Sequence, residues 1–269
     1  MKNNNKNKIS HKNNSLSLEN EKILGVKITI TKEFQLLKVI ENRLKNGLKT
    51  SIVTPNPEIV LEASKNSSFK EILNNSDVSI PDGKGIAWAI DHKFKKSIQI
   101  VRGREFVLKL LGICEAQNIP VLVLTGSSLV AKLTDKKLKI DYPKLQSESF
   151  LGPVIGYDGN PVSEVDSLIQ IDIENHIKKF RKIVVVAAFG AIKQEKWLAK
   201  IAKNYNQVVA TIGVGGAFDY YTNVTSKPPK IVASWGLEWL WRLIWDPRRL
   251  PRIIKALIIF PLTVYLKEK

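Results

Sequence analysis

Val26-Lys27-Ile28-Thr29-Ile30, the apolar set Phe34, Leu37, Ile40 and Leu44, then Thr50-Ser51-Ile52-Val53 and Asn56-Pro57 form the stretch that decides the fold. The first run is short and β-branched, which favours a strand. The four apolar residues after it recur at helical spacing and give a helix one core-facing side, with Gly47 as its stop. Thr50–Val53 is a second strand. Asn56 followed by Pro57 marks a capped helix start, because the Asn oxygen can take a free N–H and Pro fits the first helical position. The rhythm continues with strands expected at Asp77–Ile80, Pro120–Leu124, Ile183–Ala188 and Val208–Ile212, and helices between them. Such alternation predicts an α/β fold, Rossmann-like, with a mostly parallel sheet covered by helices on both faces. No internal repeat is present.

The chain has 269 residues, 44% of them hydrophobic, enough for one large domain with a real core plus an appendage. A formal net charge of +17 admits three partners: nucleic acid, anionic lipid or a polyphosphate. One cysteine, Cys114, excludes an intramolecular disulfide and any multi-cysteine metal site, as suits a reducing cytoplasm. The histidines are His11, His92 and His176, with no paired spacing, so no metal site is expected.

Residues 1–22 are rich in Asn, Ser and Lys, lack the apolar core of a signal peptide, and read as a disordered basic arm. Residues 23–230 carry the α/β pattern. Near Lys227-Pro228-Pro229 that pattern stops, and 231–269 read as a C-terminal helical appendage rich in Trp and Arg. From Trp235 onward it holds four of the six tryptophans and seven Lys/Arg against three acids. Indoles suit a lipid headgroup layer and guanidinium groups suit phosphates, so this tail reads as membrane-associating, with Arg242, Arg248, Arg249 and Arg252 facing lipid or diphosphate. The apolar run Ile253–Leu266 contains Lys255 and Pro261 and is shorter than the roughly 20 residues of a spanning helix. It is expected to lie on a membrane or to pack on the domain.

In open parallel sheets, ligands bind beyond the carboxyl ends of the strands. Five segments fall there: Thr54–Glu58, Pro81–Gly85, Thr125–Ser127, Phe189–Glu195 and Gly213–Asp219. Their glycines let a ligand approach the backbone, and the helix starts beside them offer N–H groups to phosphate. Gly213-x-Gly215-Gly216 is not the complete dinucleotide fingerprint, which disfavours a hydride-transfer enzyme. Asp82 is either a turn former or cap for the next helix, or a general base facing the crevice. Thr54 divides similarly between a turn residue and a ligand contact. Gln194 and Glu195 open a helix, where an acid also complements the dipole. Asp172 and Glu174 read as solvated surface. Arg102 and Arg104 flank Gly103 at a helix start, a position that favours an anion nearby.

Taken together, these segments resemble the WecG/TagA/CpsF family of glycosyltransferases, family 26, over roughly Val26 to Arg252. The most specific pieces are Gln194-Glu195-Lys196-Trp197, Gly213-Val214-Gly215-Gly216-Ala217-Phe218-Asp219 and Gly236-Leu237-Glu238-Trp239-Leu240 with Arg242-Leu243. The resemblance implies inverting transfer of a sugar, N-acetylmannosamine in the archetype, from a UDP-sugar to a polyprenyl-diphosphate-linked sugar on the cytoplasmic membrane face. It implies Asp82 as base and Thr54 as its catalytic companion. Asn56, Arg102, Arg104, Thr125, Gly126, Gln194, Glu195, Gly213, Gly215, Gly216 and Asp219 are the candidate substrate contacts. No cofactor is expected beyond the UDP-sugar co-substrate, and arginines carry the charge that a metal would otherwise balance.

Three departures from the family pattern stand out. Ile100 occupies the usual arginine position, which leaves Arg102 as the neighbouring candidate. Ile192 replaces a common proline, and Thr225–Pro229 stand where Arg-Ala-Pro is frequent. Two other readings stay open: a non-catalytic membrane module that binds nucleotides or phospholipids, and a nucleic-acid binder, which lacks any recognisable binding motif. A nucleic-acid partner is not expected. The sequence leaves self-association open.

Overall fold

The computed structural model describes residues 18–226, 238–245 and 247–268. Its centre is a six-stranded sheet of β3 (Thr50–Val53), β4 (Val78–Ser79), β5 (Val121–Thr125), β6 (Ser147–Leu151), β7 (Ile183–Ala188) and β8 (Val208–Gly213). The spatial order is β4-β3-β8-β7-β5-β6, and every pairing is parallel. β5 and β7 are buried along their whole length, as interior strands of a doubly covered sheet must be. All six strands therefore present their carboxyl ends to one edge.

The first run does not join this sheet. β2 (Val26–Thr29) pairs antiparallel with β1 (Asn20–Ile23) through the turn Leu24-Gly25, whose φ angles are 49° and 79°. Positive φ at both turn residues suits the twist of a two-residue hairpin. The backbone N–H of Ser79 donates to Thr29 Oγ1 at 3.1 Å, which ties the hairpin to β4. Strand Asn20–Ile23 also shortens the expected arm. A β-branched run announces a strand but not its partner, hence the misplacement.

Helices α1 (Glu33–Lys45), α5 (Gly103–Ala116), α6 (Ser128–Asp141) and α9 (Ala217–Tyr221) cover one face, around Leu36, Phe106, Leu110, Val130 and Phe218. On the other face lie α2 (Pro57–Lys65), α3 (Ser67–Asn74) and α4 (Lys84–Phe94), packed about Phe69 and Ile86. Beside them α7 (Glu164–Lys178) and α8 (Lys193–Asn204) enclose Ile177 and Trp197. In α1 the buried set is Leu36, Val39, Ile40 and Leu44, while Phe34 is 54% exposed. The buried stripe is thus rotated from the one expected. Phe34 sits in the first turn, where Lys38 Nζ lies over its ring.

The tail contains α10 (Glu238–Trp245), a 3₁₀ turn over Pro247–Arg249, α11 (Leu250–Ile254), a π-helical turn over Lys255–Ile259, and α12 (Phe260–Lys267). Its far end is not free of the domain. Phe260 and Val264 are fully buried in the cluster formed with α2 and α4, and Glu268 pairs with Lys93 and accepts the Leu24 N–H. Leu262, Tyr265 and Leu266 on the same helix face outward. The run therefore packs on the domain and still exposes an apolar face. Among the described residues no helix is long and apolar enough to cross a membrane. The expected boundary at Lys227–Pro229, and Trp235–Leu237, lie outside the described residues.

Candidate active site at the carboxyl edge of the sheet

The carboxyl ends of neighbouring strands are stitched together by side chains. Thr54, just past β3, is 5% exposed, and its Oγ1 donates to the Gly213 carbonyl of β8 at 2.8 Å. Two residues on, Asn56 caps α2 by accepting the Ile59 N–H at 3.0 Å, so its oxygen is spent on the helix. The next turn approaches the same place. Asp82 N donates to the Pro55 carbonyl at 3.0 Å, and Asp82 Oδ1 accepts from Gly103 N at 3.4 Å. Gly103 itself abuts Thr54: a Cβ there would stand 3.1 Å from the Thr54 methyl. Thr54, Asp82 and the start of α5 thus meet, although their numbers span fifty positions.

Asp82 is not the cap of α4. That position belongs to Gly83, at φ 92°, and no side chain accepts there. The alternative of a helix cap is removed, and the carboxylate is half-buried at the meeting point of β3, β4 and α5. The close approach of α4 to α2 depends on Gly85, where a Cβ would fall 2.6 Å from Pro57 Cγ.

At β7 and β8 the glycine turns face each other. Gln194, 1% exposed, accepts from Gly190 N at 3.3 Å and from Gly215 N at 3.2 Å through Oε1. Its Nε2 donates to Glu195 Oε1 at 2.8 Å. Glu195 is buried, and desolvation pushes its carboxyl up to about 6. Both side chains turn inward. Between the two turns, Ile192 has φ 73° and ψ −55°, an unusual conformation for a β-branched residue and one that proline's fixed φ excludes. The turn at this departure from the family pattern takes a path that the common proline could not follow.

Asp219 opens α9 beside Gly216, where a Cβ would lie 2.7 Å from Asp219 Oδ2. Its carboxyl is raised by desolvation, opposed by the positive charge of Arg249. The charge of the tail's Arg249 therefore acts on Asp219, beside the Gly-rich turn. Arg252 reaches Glu58 of α2, Nε to Oε1 3.5 Å. Arg242 lies on α10 and Arg248 on the 3₁₀ turn. Arg102 and Arg104 start α5 and share Glu105, at 3.3 Å and 3.8 Å, while Arg104 also lies over the Tyr220 ring. Thr125 is buried and donates to Ser127 O, so its hydroxyl serves its own turn, whereas Gly126 is exposed at the end of β5. Asp172 is exposed, as surface. Among the described residues no group of three or more His, Cys, Asp or Glu is placed to hold a metal ion.

The carboxyl edge of this doubly wound parallel sheet thus gathers a carboxylate, glycine turns, helix starts and two tail arginines, at the edge where ligands bind in sheets of this kind. The chain belongs to the glycosyl transferase WecG/TagA/CpsF family, whose profile matches residues 21–269. Among its relatives is an N-acetylglucosaminyldiphosphoundecaprenol N-acetyl-beta-D-mannosaminyltransferase of Staphylococcus aureus (strain MW2). It is 26% identical over 243 residues, covering 88% of this chain and 89% of the relative. A protein of the same name from Bacillus spizizenii is 27% identical over 203 residues, 76% of this chain and 74% of the relative.

Proposed function

We propose that this protein transfers N-acetylmannosamine or a related hexose from a UDP-sugar to a polyprenyl-diphosphate-linked acceptor sugar, with inversion, in cell-surface polysaccharide or teichoic acid synthesis. The single observation that carries the reading is the placement of Asp82. Its carboxylate is held by the Gly103 N–H beside Thr54, at the carboxyl edge of a family glycosyltransferase sheet. The names of the relatives support the lipid-diphosphate acceptor.

In this reading the acceptor hydroxyl attacks the anomeric carbon from the side opposite the UDP, and Asp82 takes its proton as the new C–O bond forms. Thr54 keeps the ends of β3 and β8 in register below the reacting groups. As the old C–O bond breaks, charge grows on the leaving diphosphate. In this reading the exposed Gly216 end of the Gly213–Gly216 turn and the guanidinium of Arg249, whose charge acts on Asp219, meet that charge. The outward face of α12, with Leu262, Tyr265 and Leu266, rests on the inner leaflet, which brings the lipid-borne acceptor to the tail side of the site.

The experiment is UDP release by purified protein with detergent-dispersed lipid-diphosphate N-acetylglucosamine and a panel of UDP-sugars, wild type against Asp82→Asn. Acceptor-dependent turnover that drops at least a hundredfold in the variant is expected. Turnover unchanged in Asp82→Asn would remove the base, and UDP binding without turnover on any donor would favour the non-catalytic module.

A further inference from the structure

A glutamine amide fits its surroundings in two orientations, and something must choose between them. At Gln194 the choice is consequential, because its oxygen faces two backbone donors, Gly190 N and Gly215 N. Turned the other way, the NH₂ would confront both N–H groups. A carboxylate accepts only. Glu195 Oε1 sits 2.8 Å from Gln194 Nε2 and therefore admits just the NH₂, which leaves the amide oxygen for the glycines.

Other observations bear on the same pair. Glu195 Oε2 is buried with no hydrogen-bond partner, while backbone N–H groups of Ile192 and Glu195 act on the carboxylate and favour its charged form. Burying an incompletely satisfied carboxylate costs stability, and desolvation accordingly raises its pKa. The space is also tightly shared: a Cβ on Gly213 would stand 2.7 Å from Gln194 Nε2 and 2.8 Å from Glu195 Oε1. The pair therefore fills the volume directly under the end of β8. Glycines 190 and 215 adopt φ of 132° and 52°, so their turns have few local preferences of their own and need an external tie.

We propose that Glu195 is a positioning residue: by accepting from Gln194 Nε2 it aims the amide oxygen at Gly190 and Gly215, and so fixes the two glycine turns that border the nucleotide diphosphate. The proposal rests on the UDP-sugar reading for its consequence, and on geometry alone for its cause. The charged groups around Glu195 are Glu58 from α2, which opposes its ionisation, and Lys49, Asp77 and Lys203, which line with it a cleft of about 320 Å³ between α3 and α8.

The test compares full-length wild type with Glu195→Gln, Glu195→Leu and Gln194→Leu. UDP affinity is measured by calorimetry, and amide hydrogen exchange is followed at Gly190 and Gly215. Glu195→Gln retains an acceptor oxygen, so UDP affinity stays within about threefold of wild type and both amides keep their protection. Glu195→Leu removes the acceptor; UDP binding weakens tenfold or more, and exchange at both glycines accelerates to the level of Gln194→Leu. Glu195→Ala replaces the leucine variant if the branched chain prevents folding. Unchanged protection of both glycines in Glu195→Leu overturns the proposal, as does a Glu195→Gln variant as impaired as the leucine one. If wild type binds no UDP, the nucleotide-sugar reading fails, and the exchange of the two glycine amides alone decides the role of Glu195.

Discussion

Thr54 Oγ1 and the Gly213 carbonyl meet at 2.8 Å, and this bond joins the ends of β3 and β8 directly beneath Asp82 and Gly103. Thr54→Val keeps the shape and deletes the donor. The buried carbonyl then loses this partner at a cost of about 1–2 kcal/mol. Thr54→Ser keeps the hydroxyl but loses the methyl that packs against Gly103. Urea unfolding is expected to show the valine variant as the less stable of the two. Turnover is expected to fall in both, because the contact positions the turn that carries Asp82, the proposed base.

Gly213 is required for space rather than for flexibility. Its φ is not among the positive values of the chain, yet a single methyl there would collide with both Gln194 and Glu195. Gly213→Ala is expected to cost about 1–3 kcal/mol, the usual range for overpacking. Gly47→Ala is the useful contrast, since nothing lies within 4 Å but φ is 68°. There the penalty comes from backbone strain alone, and UDP binding should not change. Thermal unfolding together with UDP titration separates the two causes.

These contacts explain which parts of the fold were legible in the sequence. Asn56-Pro57 was readable because a cap and its proline act locally, and β7 because a buried parallel strand is a continuous β-branched run. The edge strand Ser147–Leu151 was missed. One side of it is open, so Ser, Glu and Phe alternate without an apolar signature. Asp82 and Thr54 were correctly placed at strand ends, but their meeting at Gly103 depends on how α5 returns to the sheet, which no local pattern encodes. Gln194 and Glu195 looked like ligand contacts or dipole partners. Their burial depends on the glycine turns around them, a property of tertiary packing.

The last helix of the tail has one buried and one exposed apolar face. Leu262 and Leu266 are 56% and 68% exposed, whereas Phe260 is fully buried. Leu262→Asp with Leu266→Asp is expected to change folding stability by no more than about 0.5 kcal/mol, as for surface substitutions generally. The same pair should weaken sedimentation with anionic phospholipid vesicles at least tenfold. Phe260→Ala instead opens a cavity costing about 3–5 kcal/mol and is expected to lower the unfolding midpoint. Vesicle binding unaffected by the double aspartate variant would remove α12 from the membrane contact.

Glu195 predicts a pH signature of defined sign. Its folded carboxyl titrates at about 6 against an ordinary 4.5, so between these values the folded protein holds more protons than the unfolded one. Stability therefore falls as pH rises through that window and stays reduced above it. The size is on the order of 2 kcal/mol. Asp219 shifts the same way, while Asp158 and Asp166 are lowered by hydrogen bonds and act in the opposite sense. The net profile of wild type mixes these contributions, but the difference between wild type and Glu195→Gln isolates one of them. At pH 8 the glutamine variant, free of the buried charge, is expected to unfold several degrees higher, by roughly 2–4 °C per kcal/mol for a domain of this size. That advantage should shrink below pH 6 and be nearly gone at pH 4.5, where wild-type Glu195 is protonated. A constant difference across the range would show that Glu195 does not titrate inside the fold, and that its contact with Gln194 is worth the same in both charge states.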